Sequence, residues 1–216
     1  MNFVDKNDAL IIGIVEVEPY FFYSDEEKFY FFEMKVGRNN KKNSKDEFDY
    51  IRICISESLL KKYSIIKGKA FAIKGNVKTK DRKYKKKNKV EVFVYAKSIS
   101  FVNNFDKNMY TNICKLSGYV CKKSKFPSPY QKGSKLEIIL ANNFSSNDTS
   151  YIPCAIYGKV AYELNTNAKI GTYISLTSRI QSINYTRNEE LLTSYELLVY
   201  KKYMEKTNDI WKISLW

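Results

Sequence analysis

The sequence contains no histidine, and its four cysteines include no C-x-x-C pair, so the spacing of a zinc site is missing. It also lacks a Gly-rich phosphate loop and any Ser or Cys with an evident neighbouring base. An enzyme is therefore the least expected class of protein, since histidine is the usual group for proton transfer. We expect no metal and no other cofactor, and we expect the cysteines to be reduced and mostly in the core: Cys54, Cys114, Cys121 and Cys154.

Long apolar runs are missing as well. No stretch approaches the roughly 18 apolar residues of a membrane-spanning helix. The opening segment MNFVDKNDAL has no apolar region of the kind found in signal peptides. We expect a soluble, cytoplasmic protein that does not engage a membrane.

Positive charge and aromatic side chains are abundant. The 216 residues include 37 Lys+Arg against 23 Asp+Glu, a net charge of +14, together with 18 Tyr and 13 Phe. Binding of single-stranded nucleic acid requires this combination, because the backbone is an anion and each base offers a face for stacking. A codon bias toward Lys and Tyr is the alternative source of part of this excess.

Five segments recur in the same order, which indicates a duplicated domain. Asn7 and Asn112 are 105 positions apart, and so are Gly13 and Gly118. The remaining pairs have offsets that differ only by loop-sized amounts: FEMKVGRN with LEIILANN, DYIRI with SYIPC, KGKAFAIKGNVK with IGTYISLTSRIQ, and VEVFVYAK with YELLVYK.

Each copy is predicted to contain three strands, a short helix and two more strands, which is the element order of an OB-fold. Gly68 and Gly171 stand where the helix should stop and the chain turn into a strand. We therefore predict an all-β protein with one short helix per domain, a tandem of five-stranded Greek-key barrels. An SH3-like barrel is the structural rival, but it has no natural place for the helix. The predicted boundaries are 1–102 and 112–203 for the OB-folds, 103–111 for a polar linker and 204–216 for a tail.

Alternating residues predict which faces of the strands are buried. In YIPCAIY, the inward residues are Ile152, Cys154 and Ile156, and the outward residues are Tyr151, Ala155 and Tyr157. Other predicted core residues are Phe32, Met34, Val36, Phe71, Ile73 and Val77 in the first copy, and Leu136, Ile138, Leu140, Ile174, Leu176 and Ile180 in the second.

The segment KTKDRKYKKKNK at 78–89 has eight basic residues and one acidic residue, and we predict it to be the loop between strands four and five of the first copy. In OB-folds this loop borders the ligand groove, so we expect it to neutralise phosphates. The alternative is a hairpin tip whose lysines serve only solubility. The candidate residues are Lys78, Lys80, Arg82, Lys83, Tyr84, Lys85, Lys86 and Lys87.

The second copy has less charge but offers a set of aromatic residues for base stacking. We expect Phe144, Tyr151, Tyr157 and Tyr185 to stack on bases, and Lys159, Arg179 and Arg187 to hold the phosphates between them. Each tyrosine taken singly is equally consistent with a half-buried strand residue or a subunit interface.

The second copy resembles the bacterial single-stranded DNA-binding protein family in NICKLSGYV, LANNF, YIPCAIYGKVA and SRIQSINY followed by YELLV. The first copy, with FYFFEMKVGRN and DYIRICISESLL, is similar to the N-terminal copy of two-domain members from Firmicutes. The resemblance covers about residues 7–202. It implies a non-enzymatic protein that coats single-stranded DNA in replication, recombination or repair, on a chromosome or a mobile element. It also implies a homodimer, because family oligomers commonly assemble four OB-folds.

The four stacking positions of that family fall on the four aromatic residues just named in the second copy. In the first copy Tyr50 keeps such a position, Ser56 replaces the equivalent of Tyr157, and Arg82 or Tyr84 stands at the equivalent of Tyr185. The resemblance therefore implies aromatic stacking in the second copy, and binding by charge or a scaffold role in the first.

The family usually ends in an acidic, apolar tip that recruits partner proteins, whereas this chain ends in YMEKTNDIWKISLW. Recruitment by that route is not expected here. Two alternatives to single-stranded DNA binding follow from the same residues: a protein-interaction module of a replication or conjugation complex, and an RNA-binding protein.

Overall fold

The computed structural model describes residues 5–22, 28–38, 47–84, 87–126, 134–145, 148–187 and 189–204, without the side chains of 22, 81–89, 145, 187, 191 and 201–204. These residues form ten strands, two α-helices and one 3-10 turn at Lys107–Met109. The elements are β1 Asn7–Phe22, β2 Phe29–Gly37, β3 Phe48–Ser56, α1 Glu57–Leu60, β4 Ala70–Tyr84, β5 Lys87–Phe101, β6 Thr111–Lys123, β7 Lys135–Ser145, β8 Asp148–Tyr157, α2 Gly158–Asn167, β9 Tyr173–Arg187 and β10 Glu190–Met204.

The strands form two barrels with the same connectivity. The first has the spatial order β2-β3-β5-β4-β1, and a further β1–β2 pairing closes it. The second has the order β6-β7-β8-β10-β9, and a β6–β9 pairing closes it. In each barrel the third and fifth strands run parallel. This is the OB-fold arrangement, so the predicted tandem of OB-folds is confirmed.

The described residues fall into two compact units that do not follow the chain order strictly. The first unit contains 8–113 and 180–195, which is the first barrel with the distal part of the β9–β10 hairpin. The second unit contains 5–7, 114–179 and 196–204, which is most of the second barrel with the first residue of β1 and the two residues before it. The domain boundaries derived from the repeat remain a prediction about independent folding.

Backbone hydrogen bonds reproduce the repeat. The N–H of Gly68 donates to the carbonyl of Val15 at 2.9 Å, and the N–H of Gly171 donates to the carbonyl of Val120 at 2.8 Å. Both glycines have positive φ angles, 83° and 87°, and each lies in the turn that leads from the helix region into the fourth strand of its copy. The predicted turns at these glycines are confirmed, because few other residues adopt this conformation without strain.

The predicted core residues of both copies are buried in the barrels. Ile152, Cys154 and Ile156 are buried as expected. Ala155 alternates with them and shares the outer face with Glu137, but it is 0% exposed, so the expectation that it is open to solvent is wrong. Ala155 is paired with Glu137 on β7 and with Leu198 on β10. Its methyl group is short, so the longer neighbouring side chains cover it.

Cysteine burial agrees with the expected core positions at three of the four residues. Cys54, Cys114 and Cys154 are buried free thiols, while Cys121 is exposed. Burial raises the pKa of the Cys54 and Cys114 thiols to about 12, which keeps both protonated at neutral pH.

The segment between the copies is more than a polar tether. Tyr110 packs edge to face on Phe105, with ring centroids 4.9 Å apart, and on Phe48 of β3, at 6.1 Å. Its ring also lies so close to Gly37 that a Cβ there would meet it at 2.6 Å. These contacts fix the C-terminal end of the linker on the first barrel.

None of the helices in the described parts of the chain has the length and apolar character needed to cross a membrane.

Closure of each barrel depends on a glycine in its first strand. A Cβ on Gly13 would lie 2.6 Å from the carbonyl oxygen of Lys35 on β2. A Cβ on Gly118 would overlap the carbonyl oxygen of Ala141 on β7. In both cases the obstructing atom is backbone, which cannot move away as a flexible side chain can.

We predict that Gly13→Ala and Gly118→Ala each lower the free energy of unfolding by about 1–3 kcal/mol, because the added methyl group forces two backbones apart. Urea denaturation measures this change. Gly171→Asn is the matched control, since nothing lies within 4 Å of its Cβ position and Asn tolerates positive φ. Equal losses in all three variants would contradict the close-approach explanation.

Candidate nucleic-acid interface

The outer face of β8 carries the two tyrosines that the sequence singled out. Tyr151 is 56% exposed and Tyr157 is 41% exposed, so both rings are available to a ligand. They are six residues apart on one face, which corresponds to roughly 20 Å along the strand. Phe144 lies half-buried near the end of the neighbouring strand β7. All three belong to the second unit.

Tyr157 is also the residue from which α2 begins, as its N-cap, without a side-chain hydrogen bond to the helix. Gly158 follows with a φ of 63°, which turns the chain from strand to helix and leaves the tyrosine ring at the surface. In the first copy Ser56 occupies the equivalent place, and its hydroxyl accepts a hydrogen bond from the N–H of Leu59 at 3.4 Å. The serine thus caps α1 where the second copy has an aromatic ring.

Two lysines of the second unit differ in how closely they pair with carboxylates. Lys135 lies 2.8 Å from Glu196 and 2.9 Å from Glu137. Burial works against its charge, but hydrogen bonds to both carboxylates raise the pKa of Lys135 to about 12. Lys159 has a side chain that is 77% exposed and only a long contact, 3.9 Å, with Glu163. Lys159 is therefore the better phosphate ligand of the two.

Two further tyrosines lie in cross-strand register with Tyr151. Tyr151 is paired with Ala141 on β7, Ala141 with Tyr119 on β6, and Tyr119 with Tyr173 on β9. Directly paired residues of antiparallel strands share a face, so these residues form one row across the sheet. We call Tyr151, Tyr119 and Tyr173 the tyrosine row.

Tyr119 and Tyr173 of the tyrosine row are not among the stacking residues predicted from the sequence, although part of their signal lies in the alternation of β6 and β9. Tyr119 directly follows Gly118, whose neighbours in the alternation are core residues, so period two places Tyr119 outside. Tyr173 begins the strand whose next residue, Ile174, was assigned to the core. What alternation could not supply is the register that brings the three strands into line.

Tyr185, the fourth predicted stacking residue, belongs to the first unit rather than the second. It lies on β9 and is 37% exposed. β9 continues beyond Tyr185 to Arg187. Arg179 is half-buried on β9 of the second unit, and the side chain of Arg187 lies outside the described residues.

Residues 180–195 are fixed to the first barrel by a buried polar network. Asp49 accepts hydrogen bonds from the Arg38 guanidinium, at 2.9 Å from Nε, and from the N–H of Ser182, at 3.2 Å. Arg38 also donates to the carbonyl of Ser182 at 2.8 Å, and the Ser182 hydroxyl accepts from the N–H of Tyr50 at 3.0 Å. The Arg38 and Asp49 side chains are only 8% and 1% exposed.

A second contact of the same segment involves Tyr195. Tyr195 is buried and hydrogen-bonds to Glu33 on β2. Burial, followed by the charge of Glu33, raises the pKa of Tyr195 to about 12. Arg52 on the adjacent strand β3 forms an ion pair with Glu91 at 3.0 Å. Residues of the same unit therefore contact the outer face of β2 and β3 in the first barrel. Tyr50, on this face, is half-buried.

The described parts of the basic segment, 78–84 and 87–89, are paired strand instead of the predicted loop. β4 and β5 stay in antiparallel register as far as the pair Tyr84 and Lys87. Lys78 lies over the Tyr95 ring, 5.6 Å from its centroid, and Lys80 is exposed. Outside the described residues are Lys85 and Lys86 and the side chains of Arg82, Lys83, Tyr84 and Lys87.

The first barrel has an aromatic cluster of its own, at positions other than those the family resemblance indicated. Phe31, Cys54 and Phe93 are buried together on the outer face, with Phe29 and Tyr95 packed against them. The Phe31 and Phe93 rings meet edge to face at 5.3 Å. Because these central rings are buried against one another, they are unavailable for base stacking.

The fold matches that of the wild-type single-stranded DNA-binding protein from Thermus aquaticus, with a TM-score of 0.72 and 13% identity over 94% of this chain and 95% of that one. A deletion mutant of the same protein matches with a TM-score of 0.73 and 13% identity over 94% and 96% of the two chains. A Plasmodium falciparum single-stranded DNA-binding protein, solved with single-stranded DNA, matches 48% of this chain and 100% of its own at 20% identity, but its TM-score of 0.39 is too low to bear on the comparison.

No protein-family model and no curated protein matches the chain. At 13% identity, the likeness to the Thermus aquaticus protein establishes the fold. The chain thus has the two-OB-fold architecture of a bacterial single-stranded DNA-binding protein, and the resemblance predicted from the sequence is confirmed at the level of the fold.

The buried network of residues 180–195 leads to a stability prediction. Asp49→Ala should lower the free energy of unfolding by about 3–5 kcal/mol, because it leaves the buried Arg38 guanidinium without its counter-ion. Glu47→Ala, which removes an exposed carboxylate nearby, is the matched control and should have an effect within about 0.5 kcal/mol. Chemical denaturation of both variants measures the difference, and a loss below about 1 kcal/mol for Asp49→Ala would contradict the assignment.

Proposed function

We propose that the protein binds single-stranded DNA, and that bases stack on Tyr151 and Tyr157 of the second barrel. The observation that carries this proposal is the exposure of both rings, 56% and 41%, on one outer face of β8. A free strand needs several aromatic faces in a line, because each stacked base contributes about 1–3 kcal/mol. Phe144 and Tyr185 remain proposed stacking residues of lower exposure.

Positive charge supplies the second element of the proposal. The net charge of +14 favours a polyanionic ligand, and Lys159 follows Tyr157 closely with an exposed ammonium group. In the first unit Lys80 is exposed on the β4–β5 ladder. Arg179, Arg187 and the remaining basic residues of 78–89 stay candidates for phosphate contacts. Binding by such contacts weakens steeply with added salt, because counterions are released from the DNA.

We further propose that the protein is not an enzyme and acts in DNA replication, recombination or repair, on a chromosome or a mobile element. The likeness of fold to the Thermus aquaticus single-stranded DNA-binding protein supports it.

The proposed partner besides DNA is a second copy of the chain, which would give four OB-folds per assembly. Light scattering tests this directly. A homodimer has twice the chain mass of 25.3 kDa. A mass equal to that of one chain at micromolar concentration would rule the homodimer out.

The test of DNA binding is a titration of fluorescent oligo-dT against the wild type and a Tyr151→Ala/Tyr157→Ala variant. We expect the double change to weaken binding by about 2–4 kcal/mol, since two stacking faces are lost. Tyr162→Ala is the matched control, because Tyr162 is 50% exposed in the same unit but lies on α2.

Competition with unlabelled duplex and with oligo-U of equal length completes this experiment. Duplex should compete poorly, because its bases are already stacked. Equal competition by duplex, or no oligo-dT binding at low salt, would overturn the proposal. Stronger competition by oligo-U would indicate that RNA is the ligand.

A further inference from the structure

We infer that the tyrosine row is an additional base-stacking subsite, in which Tyr119, supported by Tyr173, holds a nucleobase beside the one on Tyr151. This inference rests on the proposed function and extends its site to Tyr119 on β6 and Tyr173 at the start of β9, neither of which is among the sequence-based stacking candidates. The ligand is a segment of single-stranded DNA that crosses the sheet as well as following β8.

The first argument is the geometry of the row. The Tyr119 and Tyr173 rings meet edge to face with centroids 5.0 Å apart. Tyr119 is nevertheless 47% exposed, so the contact holds the ring while leaving much of its surface open. Tyr151 lies two strands away, at about 10 Å for a strand spacing of about 4.8 Å. Ala141, between them in register, has only a methyl group and leaves room for a base.

The second argument is that Tyr173 is fixed in place. Its hydroxyl donates to the Ser117 hydroxyl oxygen at 2.7 Å, and the same oxygen accepts from the N–H of Lys6, also at 2.7 Å. Ser117 is 3% exposed, and its carbonyl accepts from the buried Asn142 amide at 2.7 Å. The ring beneath Tyr119 is thus anchored in a buried network, which lowers the entropy cost of stacking on the pair.

The charges around the tyrosine row also favour binding of a phosphate backbone. The described residues that flank the row on the same face include no carboxylate that would repel a phosphate: Ser117, Asn143, Thr149 and Ser175 lie on one side, and Ile139, its partner Lys122 and Pro153 lie on the other.

Exposed lysines stand on either side of the Tyr119–Tyr173 pair. Lys115 lies four residues before Tyr119 on β6, and Lys122 lies three residues after it on the same strand. These two lysines therefore lie on opposite sides of the pair. A strand that passes over the pair therefore meets positive charge before and after it.

The experiment compares oligo-dT affinity for Tyr119→Leu, Tyr151→Leu and Tyr162→Leu with that of the wild type. Leucine keeps an apolar contact with Tyr173 but removes the aromatic face, so the fold should persist, and thermal denaturation checks this. We expect Tyr119→Leu to weaken binding about ten-fold, within the range for loss of one stacked base. Tyr162→Leu, the change of an equally exposed ring on α2, should bind as the wild type does.

Other results of this experiment decide separately on the subsite and on the proposed function. If Tyr151→Leu binds weakly and Tyr119→Leu binds normally, the proposed function stands and the subsite is overturned. If the wild type does not bind oligo-dT at low salt, both are overturned. If Tyr162→Leu loses as much affinity as Tyr119→Leu, the effect is not specific to the row, and the subsite is again overturned.

Photo-crosslinking gives a second readout that does not depend on a variant. Oligo-dT with 5-iodouracil at single positions is irradiated with the wild-type protein, and the modified peptides are identified by mass spectrometry. We expect crosslinks at Tyr119 as well as at Tyr151. Crosslinks at Tyr151 without any at Tyr119 or Tyr173 would overturn the subsite.

Discussion

Closure of a five-stranded sheet is the constraint on which the rest of this structure depends. The first strand of each copy must pair with two neighbours at once, and it does so by passing a backbone carbonyl so closely that only glycine fits, at Gly13 and at Gly118. Once the sheet is closed, its narrow interior is filled by apolar side chains from alternate positions. The other half of each strand must face outward, and the exposed tyrosines of the second copy belong to that half.

The two copies share this frame but use their outer faces differently. In the first unit the β2–β3 face is engaged by Ser182 and by Tyr195, and its central aromatic rings are buried against one another. In the second barrel β8, the equivalent of β3, carries Tyr151, which is 56% exposed. The first copy also has the capping residue Ser56 where the second copy has the aromatic ring of Tyr157. Both copies form the same barrel, but Tyr151 of the second copy is exposed at the position where Tyr50 of the first copy is half-buried.

Much of the fold could be predicted from the sequence, because its signals are local or periodic. Conserved spacing between copies, period-two burial and the turn glycines Gly68 and Gly171 all depend on residues close in sequence. The run of charge at 78–89 predicts a loop, whereas cross-strand pairing carries β4 and β5 into this segment. Burial of Ala155 was missed because it depends on its cross-strand neighbours. The candidate site was predictable only in part: Tyr151 and Tyr157 follow from alternation, whereas Tyr119 and Tyr173 join them through register, and the Ser182 network joins residues more than 130 positions apart.

We propose that single-stranded DNA lies on the outer face of the second barrel with its bases against tyrosine rings. A crystal structure of the full chain with bound oligo-dT would show where the DNA lies. We expect a base in van der Waals contact with the ring of Tyr151 and phosphates on the side of Lys159. DNA bound elsewhere, with the Tyr151 ring still open to solvent, would contradict it.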